Sequence, residues 1–234
     1  MNNFTQTISL GYICNVYAYL LQSDPTRKNT IFDNIATPMW AIYNLIDTNF
    51  ASFMLPQNMQ QMQIFENNTK QYWVDNFNYI RFLFYNPATT RIKLQPLIDN
   101  FFNTLSNANT NNTPLLFIRY QEPMNSPNST DGPRIVYPQF TQQYSTSELS
   151  YLQSLSDLFK QRYPNLVFKI LYMNFDSNFV DDDHNIVGVQ TDSLDYQDRN
   201  ISTKMVIAIQ QHTAFINTNL VHKLPINPVV TPST

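Results

Sequence analysis

The chain has 234 residues, of which 43% are hydrophobic and 14% aromatic, which is enough for one large domain with a sizeable core. Charged residues make up only 13%, the formal net charge is −3, and no basic segment appears, which argues against nucleic acid as a partner. No apolar run approaches the roughly 18 residues of a membrane span, and one cysteine excludes an internal disulfide framework. We therefore expect a cytoplasmic protein that folds in a reducing compartment.

The N-terminal segment predicts a strand, a glycine turn and a helix. Residues 5–11 are apolar and β-prone, and residues 14–22 have helical character. Gly11 lets the chain reverse where a Cβ would clash, and the N-terminus of the helix supplies free N–H groups and partial positive charge. Cys14 would lie at that N-terminus, where its pKa would be lowered toward a reactive thiolate. The alternative is that Cys14 is a small buried apolar residue, which is the more common state of a lone cysteine.

The next segment predicts short elements. Residues 30–36 read as a second strand or an extended segment. A helix is expected to begin at Thr37-Pro38, with Thr37 as its cap, and to continue to residue 47. Residues 49–54 predict another short helix, and residues 72–74 a short β segment.

The middle of the chain predicts a helix followed by a buried strand. Apolar residues at helical spacing indicate an amphipathic helix over residues 90–105, with Pro96 in its first turn or at a kink. Residues 106–114 read as an Asn/Thr-rich loop. Residues 115–120 are almost continuously apolar, as in a strand that is buried on both faces, and residues 121–143 form a long irregular stretch.

The C-terminal part predicts one more helix and two more strands. Ser145 and Glu148 have the spacing of a capping box, and the leucines that follow predict a helix ending near Arg162. Residues 166–172 and 204–209 read as strands. Between these two strands lies the acidic segment 175–199, which reads as a loop.

Alternating helices and buried strands predict an α/β layered fold with a mainly parallel central sheet flanked by helices. We expect a single domain over residues 1–224 and an extended tail over residues 225–234. Parallel sheets bind ligands at the carboxyl ends of their strands. Those ends are expected to carry residues 11–14, 119–122 and 174–176.

A thiol nucleophile needs a base, and two histidines are candidates. His184 lies in the acidic run Asp181-Asp-Asp-His184, and His212 follows the last predicted strand. Either residue is a candidate base for Cys14, and the alternative for His184 is a solvated surface loop.

Metal and cofactor motifs are weak. There is no cysteine pair and no HExxH pattern, and the spacing of Asp181, Asp183 and Asn185 resembles a calcium loop without its glycine and closing glutamate. Glycine-rich phosphate loops are absent too. We therefore expect neither a metal nor a cofactor. Arg119, at the end of a buried strand, would either bind an anionic group or form a structural ion pair.

Three segments, Ser9-Leu-Gly-Tyr-Ile-Cys14, Phe32-Asp33 and Asn49-Phe-Ala-Ser-Phe53, resemble motifs of a family of papain-like cysteine peptidases found in bacteria and large DNA viruses. The strand that ends at Arg119 resembles the family's Phe-Val-Arg strand, and the resemblance covers roughly residues 5–175. It implies that Cys14 is the nucleophile and that Asp33 is an acid near it.

The chain departs from the family pattern at three places. Ile31 replaces a proline, Asn34 replaces a tryptophan, and residues 73–77 offer no histidine. Without that histidine, the family pattern supplies no general base for the Cys14 thiol.

Three hypotheses follow. The first is a thiol hydrolase acting on a protein or peptide, with Cys14 as nucleophile, His212 or His184 as base and Asp33 as orienting acid, and with Ser9, Gly11 and Arg119 as binding residues. The second is a catalytically inactive structural or interaction protein on the same scaffold, such as a viral particle component that forms a homo- or hetero-oligomer. The third, a transferase that binds a sugar or nucleotide, rests on Arg119 and the α/β pattern alone.

Overall fold

The computed structural model describes residues 6–11, 20, 27–33, 35, 37–63, 71–78, 80–82, 87–121, 147–174, 176–191 and 209. Within them, eight strands and three α-helices are assigned. The strands are β1 (Gln6–Ser9), β2 (Met59–Gln63), β3 (Gln71–Asp75), β4 (Ile80–Phe82), β5 (Leu115–Tyr120), β6 (Phe168–Asn174), β7 (Phe179–Asp181) and β8 (Ile186–Gln190). The helices are α1 (Met39–Asp47), α2 (Pro87–Asn111) and α3 (Glu148–Arg162).

Five strands form a mainly parallel sheet in the order β1-β5-β6-β8-β7. The first four are mutually parallel, and β7 is antiparallel to β8. All six residues of β5 are buried, as a strand covered on both faces requires. The predicted α/β layered fold with a mainly parallel sheet is therefore confirmed.

The register defines two edges of this sheet. Ser9 pairs with Ile118, Ile118 with Leu171, and Leu171 with Val187. Because these four strands are parallel, their C-terminal ends share one edge, which we call the carboxyl edge. Their N-terminal ends share the opposite edge, which we call the amino edge.

Helix α3 packs on one face of the sheet through apolar residues at helical spacing. Leu152, Leu155 and Phe159 are fully buried, and the Phe159 ring stacks on the Phe117 ring of β5 with centroids 4.9 Å apart. The Ser147 hydroxyl accepts a hydrogen bond from the Ser150 amide and caps the helix, rather than the predicted Ser145, which lies outside the described residues.

A second, antiparallel sheet has the order β2-β3-β4. Strand β3 confirms the β segment expected at residues 72–74. Strand β2 gave no sequence signal, because Met59-Gln-Gln-Met-Gln63 has little of the β-branched and aromatic content that marks strands.

Two predictions around α1 are wrong. Residues 31–33 form a 3-10 turn rather than a strand, because the Asp33 carboxylate accepts a hydrogen bond from the Thr30 amide and closes the turn. Residues 49–54 form turns rather than a helix, with positive φ at Asn49, Phe50 and Met54. The helix α1 itself begins after Pro38, and no side chain caps it.

Helix α2 is longer than the sequence pattern predicted. It runs to Asn111, so the expected loop at residues 106–114 begins only at Asn112, and Pro96 lies in the helix interior rather than in its first turn. Leu105 and Ala108 are buried in the core, and this packing extends the helix through its polar last turn. Pro96 lies on the exposed side, where water can satisfy the carbonyl that loses its helical bond.

The acidic segment predicted as a loop contains the β7–β8 hairpin. The Phe179 ring of β7 packs directly over Gly188 of β8, where a Cβ would lie 2.0 Å from the ring. A glycine at this position is therefore what lets the two strands pair with the ring in this place. Ile209, the one described residue of the predicted last strand, is helical. Leu20 is helical as expected, and the other residues of the predicted first helix and of the predicted tail 225–234 lie outside the described residues.

Candidate functional site

A left-handed turn at Gly11 ends β1 at the carboxyl edge. The Leu10 amide still donates to the Ile118 carbonyl across 2.8 Å, and the Gly11 amide then donates to the Ser9 hydroxyl across 3.2 Å. Gly11 has φ +75°, and a Cβ there would lie 3.2 Å from the Ile35 carbonyl oxygen and 3.3 Å from that of Phe32. Glycine is required because the turn lies directly against the backbone carbonyls of Phe32 and Ile35.

Asp33 is buried beneath this turn and bound by its neighbours. Its Oδ1 accepts from Arg27 Nη2 across 2.8 Å, and its Oδ2 accepts from the Thr30 amide across 2.7 Å and from the Thr30 hydroxyl across 3.2 Å. Burial raises the pKa of Asp33, and the Arg27 charge opposes that shift. Arg27 Nε also donates to the Thr7 carbonyl, so the pair ties this segment to β1.

These contacts bear on the predicted role of Asp33 as an orienting acid. Its side chain is inaccessible to solvent, and among the described residues its carboxylate is bound by Arg27 and Thr30 and not by a histidine. The geometry gives Asp33 a structural part in holding the 27–33 segment against β1.

Aromatic rings connect the Gly11 turn to the segment after α1. The Phe32 ring lies 5.8 Å from the Phe50 ring, and Phe50 lies 5.5 Å from Phe53, edge to face. Phe32 also meets Phe101 of α2 edge to face at 5.3 Å. Among the described residues, Gly11 of the first motif segment therefore contacts Phe32 of the second, and Phe32 contacts Phe50 of the third.

The stretch at residues 73–77, which has no histidine where the family pattern expects one, joins the same cluster through Asp75. Asp75 is fully buried, and its Oδ2 accepts from the Met54 amide across 2.9 Å and from Asn78 Nδ2 across 2.9 Å. Asn78 in turn bonds Ser52. A buried carboxylate therefore stands in this stretch and anchors the turn after α1.

Arg119 lies at the C-terminal end of β5 and is completely buried. Its Nη1 donates to the Leu10 carbonyl across 2.9 Å and to the Thr37 carbonyl across 3.0 Å. Its Nε donates to Glu148 Oε1 across 2.5 Å. Of the two roles expected for Arg119, anion binding or a structural ion pair, these contacts match the ion pair. They also join the Gly11 turn to the starts of α1 and α3.

His184 lies in the β7–β8 turn at the amino edge. Its Nδ1 is 2.8 Å from the Asp181 carboxylate, its Nε2 is 3.8 Å from Asp157 Oδ2, and its carbonyl accepts from the Ser156 hydroxyl. The sheet register, with a strand rise of about 3.3 Å and a spacing of about 4.8 Å, puts it roughly 20 Å from Gly11. The structure does not bring His184 together with Gly11, Asp33 or Arg119.

Cys14 and His212 lie outside the described residues. Cys14 follows Gly11 by three residues in the sequence, and Ile209 precedes His212 by three.

Within the described residues, no group of three or more His, Cys, Asp or Glu side chains could hold a metal ion. The suggested calcium-loop carboxylate of Asp181 faces His184 and Gln153 instead. None of the helices in the described ranges is both long enough and apolar enough to cross a membrane.

Sequence reasoning did not single out Arg27 or Thr30, and it interpreted Glu148 only as a capping residue. The short polar loop around Arg27 carries no periodic pattern, so its partner was not predictable. Arg27 lies six positions before Asp33, and this closeness in sequence is a weak signal for an ion pair between them. The Arg119–Glu148 pair spans 29 residues, so no local sequence signal predicts it.

The five-stranded sheet with helices, and the polar cluster at its carboxyl edge, define an α/β layered protein whose candidate site surrounds the Gly11 turn. Comparisons of the chain with protein-family models, curated proteins and solved structures found no match.

Proposed function

We propose that the chain is a thiol hydrolase of the papain-like cysteine peptidase type, with Cys14 as nucleophile and a protein or peptide as substrate. The observation that carries the proposal is the contact of the Gly11 turn, at the carboxyl edge, with the Phe32-Asp33 segment. The Phe32 ring in turn meets the Phe50 ring of the Phe50–Phe53 segment. Open α/β sheets bind their ligands at that edge.

The reaction would proceed in two steps. The Cys14 thiolate attacks the carbonyl carbon of the scissile amide, and the protonated base gives its proton to the departing amine, which leaves a thioester. Water then attacks the thioester, the base takes the water proton, and the thiolate and a carboxylic acid are released.

His212 is the better candidate for the base. His184 belongs to a separate cluster with Asp181 at the amino edge, roughly 20 Å from Gly11 by strand geometry. His212 follows the helical and buried residue Ile209 by three positions.

The test uses the single cysteine of the chain, because iodoacetamide labelling followed by mass spectrometry then reports Cys14 alone. We expect an apparent pKa well below the free value of about 8.5 in the wild-type protein and in the matched control His184→Gln. In His212→Gln the apparent pKa should rise toward the free value.

Two outcomes would count against the proposal. Labelling only after unfolding would make Cys14 a core residue, and an ordinary pKa with no turnover of peptide substrates would remove the hydrolase. Equal effects of the two histidine variants would remove the assignment of His212.

A second candidate is a catalytically inactive structural or interaction protein, for instance a component of a viral particle. The observation that favours it is the commitment of Asp33 to Arg27 and Thr30, which leaves the expected orienting acid occupied. Sedimentation velocity and cross-linking would test it. A stable oligomer together with an unreactive Cys14 supports this candidate, and a monomer with an activated thiol opposes it.

A further inference from the structure

Arg119 joins three segments that are far apart in the sequence. It lies at the end of β5, and its guanidinium contacts the Leu10 carbonyl, the Thr37 carbonyl and the Glu148 carboxylate. Leu10 directly precedes the Gly11 turn, Thr37 precedes α1, and Glu148 is the first residue of α3. One side chain therefore sets the spacing between the turn and the starts of two helices.

Such a contact pattern depends on the shape of arginine. The guanidinium is planar and presents its five N–H donors in a fixed fork, whereas a lysine ammonium acts as a point charge on a flexible stem. Arg119 is buried completely, and the side chain of Glu148 is only 13% exposed, so water cannot easily replace either partner. The position of the Leu10 carbonyl is therefore tied to the orientation of this guanidinium.

The amino edge carries a second arginine with the same pattern. Arg162, at the end of α3, donates to the Ile46 carbonyl across 2.8 Å, to the Asp47 carbonyl across 2.7 Å and to the Asp47 carboxylate across 2.8 Å. The two arginines therefore bind opposite ends of the α1–α3 pair. Arg162 is partly exposed and is remote from Gly11, so it is a matched control.

We propose that Arg119 is a positioning residue for the thiol site, and that it acts through the Leu10 carbonyl and the Gly11 turn rather than by contacting substrate. This inference rests on the proposed hydrolase function, because it assigns a role relative to Cys14. Arg119 holds the turn in register with the start of α1, and thereby fixes the backbone from which the segment carrying Cys14 begins.

The experiment compares Arg119→Lys and Arg119→Met with Arg162→Lys in the full chain. Iodoacetamide labelling gives the apparent pKa of Cys14 in each variant, and amide hydrogen exchange reports the Gly11 turn. We expect alkylation at pH 7 to slow about fivefold to tenfold in the Arg119 variants as the pKa moves toward about 8.5. We also expect faster exchange at residues 9–11. Arg162→Lys should change neither readout.

Glu148→Gln keeps an oxygen that can accept from Arg119, and it tests the inference if both Arg119 variants fail to fold. It should keep slow exchange at residues 9–11 and leave most of the Cys14 reactivity intact, whereas fast exchange there with unchanged Cys14 reactivity would overturn the inference.

The outcomes separate the two proposals. A depressed wild-type pKa that the Arg119 variants leave unchanged overturns the positioning role alone. A wild-type thiol with an ordinary pKa overturns the hydrolase function and this inference with it.

Discussion

The carboxylate of Asp75 accepts a hydrogen bond from the backbone amide of Met54 across 2.9 Å, and so joins β3 to the turn that follows α1. The same carboxylate accepts from the amides of Phe77 and Asn78 and from the Asn78 side chain. All four donors are N–H groups, which an anionic acceptor with two oxygens satisfies and a neutral amide does not. This bond organises a segment whose φ angles are otherwise unfavourable.

The first prediction concerns Asp75→Asn, which should lower the free energy of unfolding by about 2–3 kcal/mol. The variant presents an NH₂ group to donors and leaves buried N–H groups unpaired. Urea denaturation measures the loss. Asp99→Asn is the control, because Asp99 is exposed and accepts a hydrogen bond from Gln95 one helical turn away, an interaction worth about 0.5 kcal/mol or less. A loss no larger than that of the control would contradict the role of Asp75.

Gly11→Ala is expected to destabilise the fold by about 1–3 kcal/mol. The new Cβ would meet two backbone carbonyl oxygens at 3.2 and 3.3 Å, in addition to the cost of a positive φ. Asn112→Ala isolates the backbone cost, since Asn112 has φ 51° and is exposed beyond the end of α2. Thermal and urea unfolding of both variants should show the larger loss for Gly11→Ala. Equal losses would mean that the turn does not press on residues 32–35.

The pH dependence of stability should reveal the burial of Asp33. Burial raises its pKa above the ordinary value of 3.8, although the Arg27 charge opposes the shift. Because the folded protein then holds the proton more tightly than the unfolded chain, the contribution of Asp33 to stability falls as pH rises from 3.8 through the folded pKa. Asp33→Asn removes this titration. Relative to wild type, the variant should therefore gain stability as pH rises through that window in urea titrations. A constant difference between the two proteins would be evidence against the shift.

Asp181 should show the opposite sign. Burial tends to raise its pKa, but hydrogen bonds from Gln153 and His184 outweigh burial and hold the pKa below 3.8. Its contribution to stability is therefore present above pH 3.8 and is lost as pH falls through the folded pKa. Asp181→Asn should be most destabilising near neutral pH, and its difference from wild type should shrink on acidification. Asp183→Asn, at an exposed position in the same turn, is the control, and a matching profile for it would refute the assignment to Asp181.

The strands and helices whose burial produces a regular pattern of apolar residues in the sequence were predictable. Strand β5 is a continuous apolar run because it is buried on both faces, and α3 shows leucines at helical spacing because one face packs on the sheet. The β7–β8 hairpin was not predictable from composition, since its polar residues lie at exposed edge positions and Phe179 packs over Gly188 only once the strands pair. The 3-10 turn at Asp33 depends on a side-chain bond that competes with the extended form.

The sequence by itself determined the class of fold and the glycine at residue 11, because local periodicity and backbone conformation encode them. Only the tertiary structure decided the partners of Arg119 and Asp33 and the edge at which His184 lies. The Arg119 bond to Leu10 spans 109 residues, and its existence depends on how strands and helices pack rather than on any local pattern. The same type of side chain can therefore bind a ligand or hold the fold together, and its surroundings in the folded chain decide which role it has.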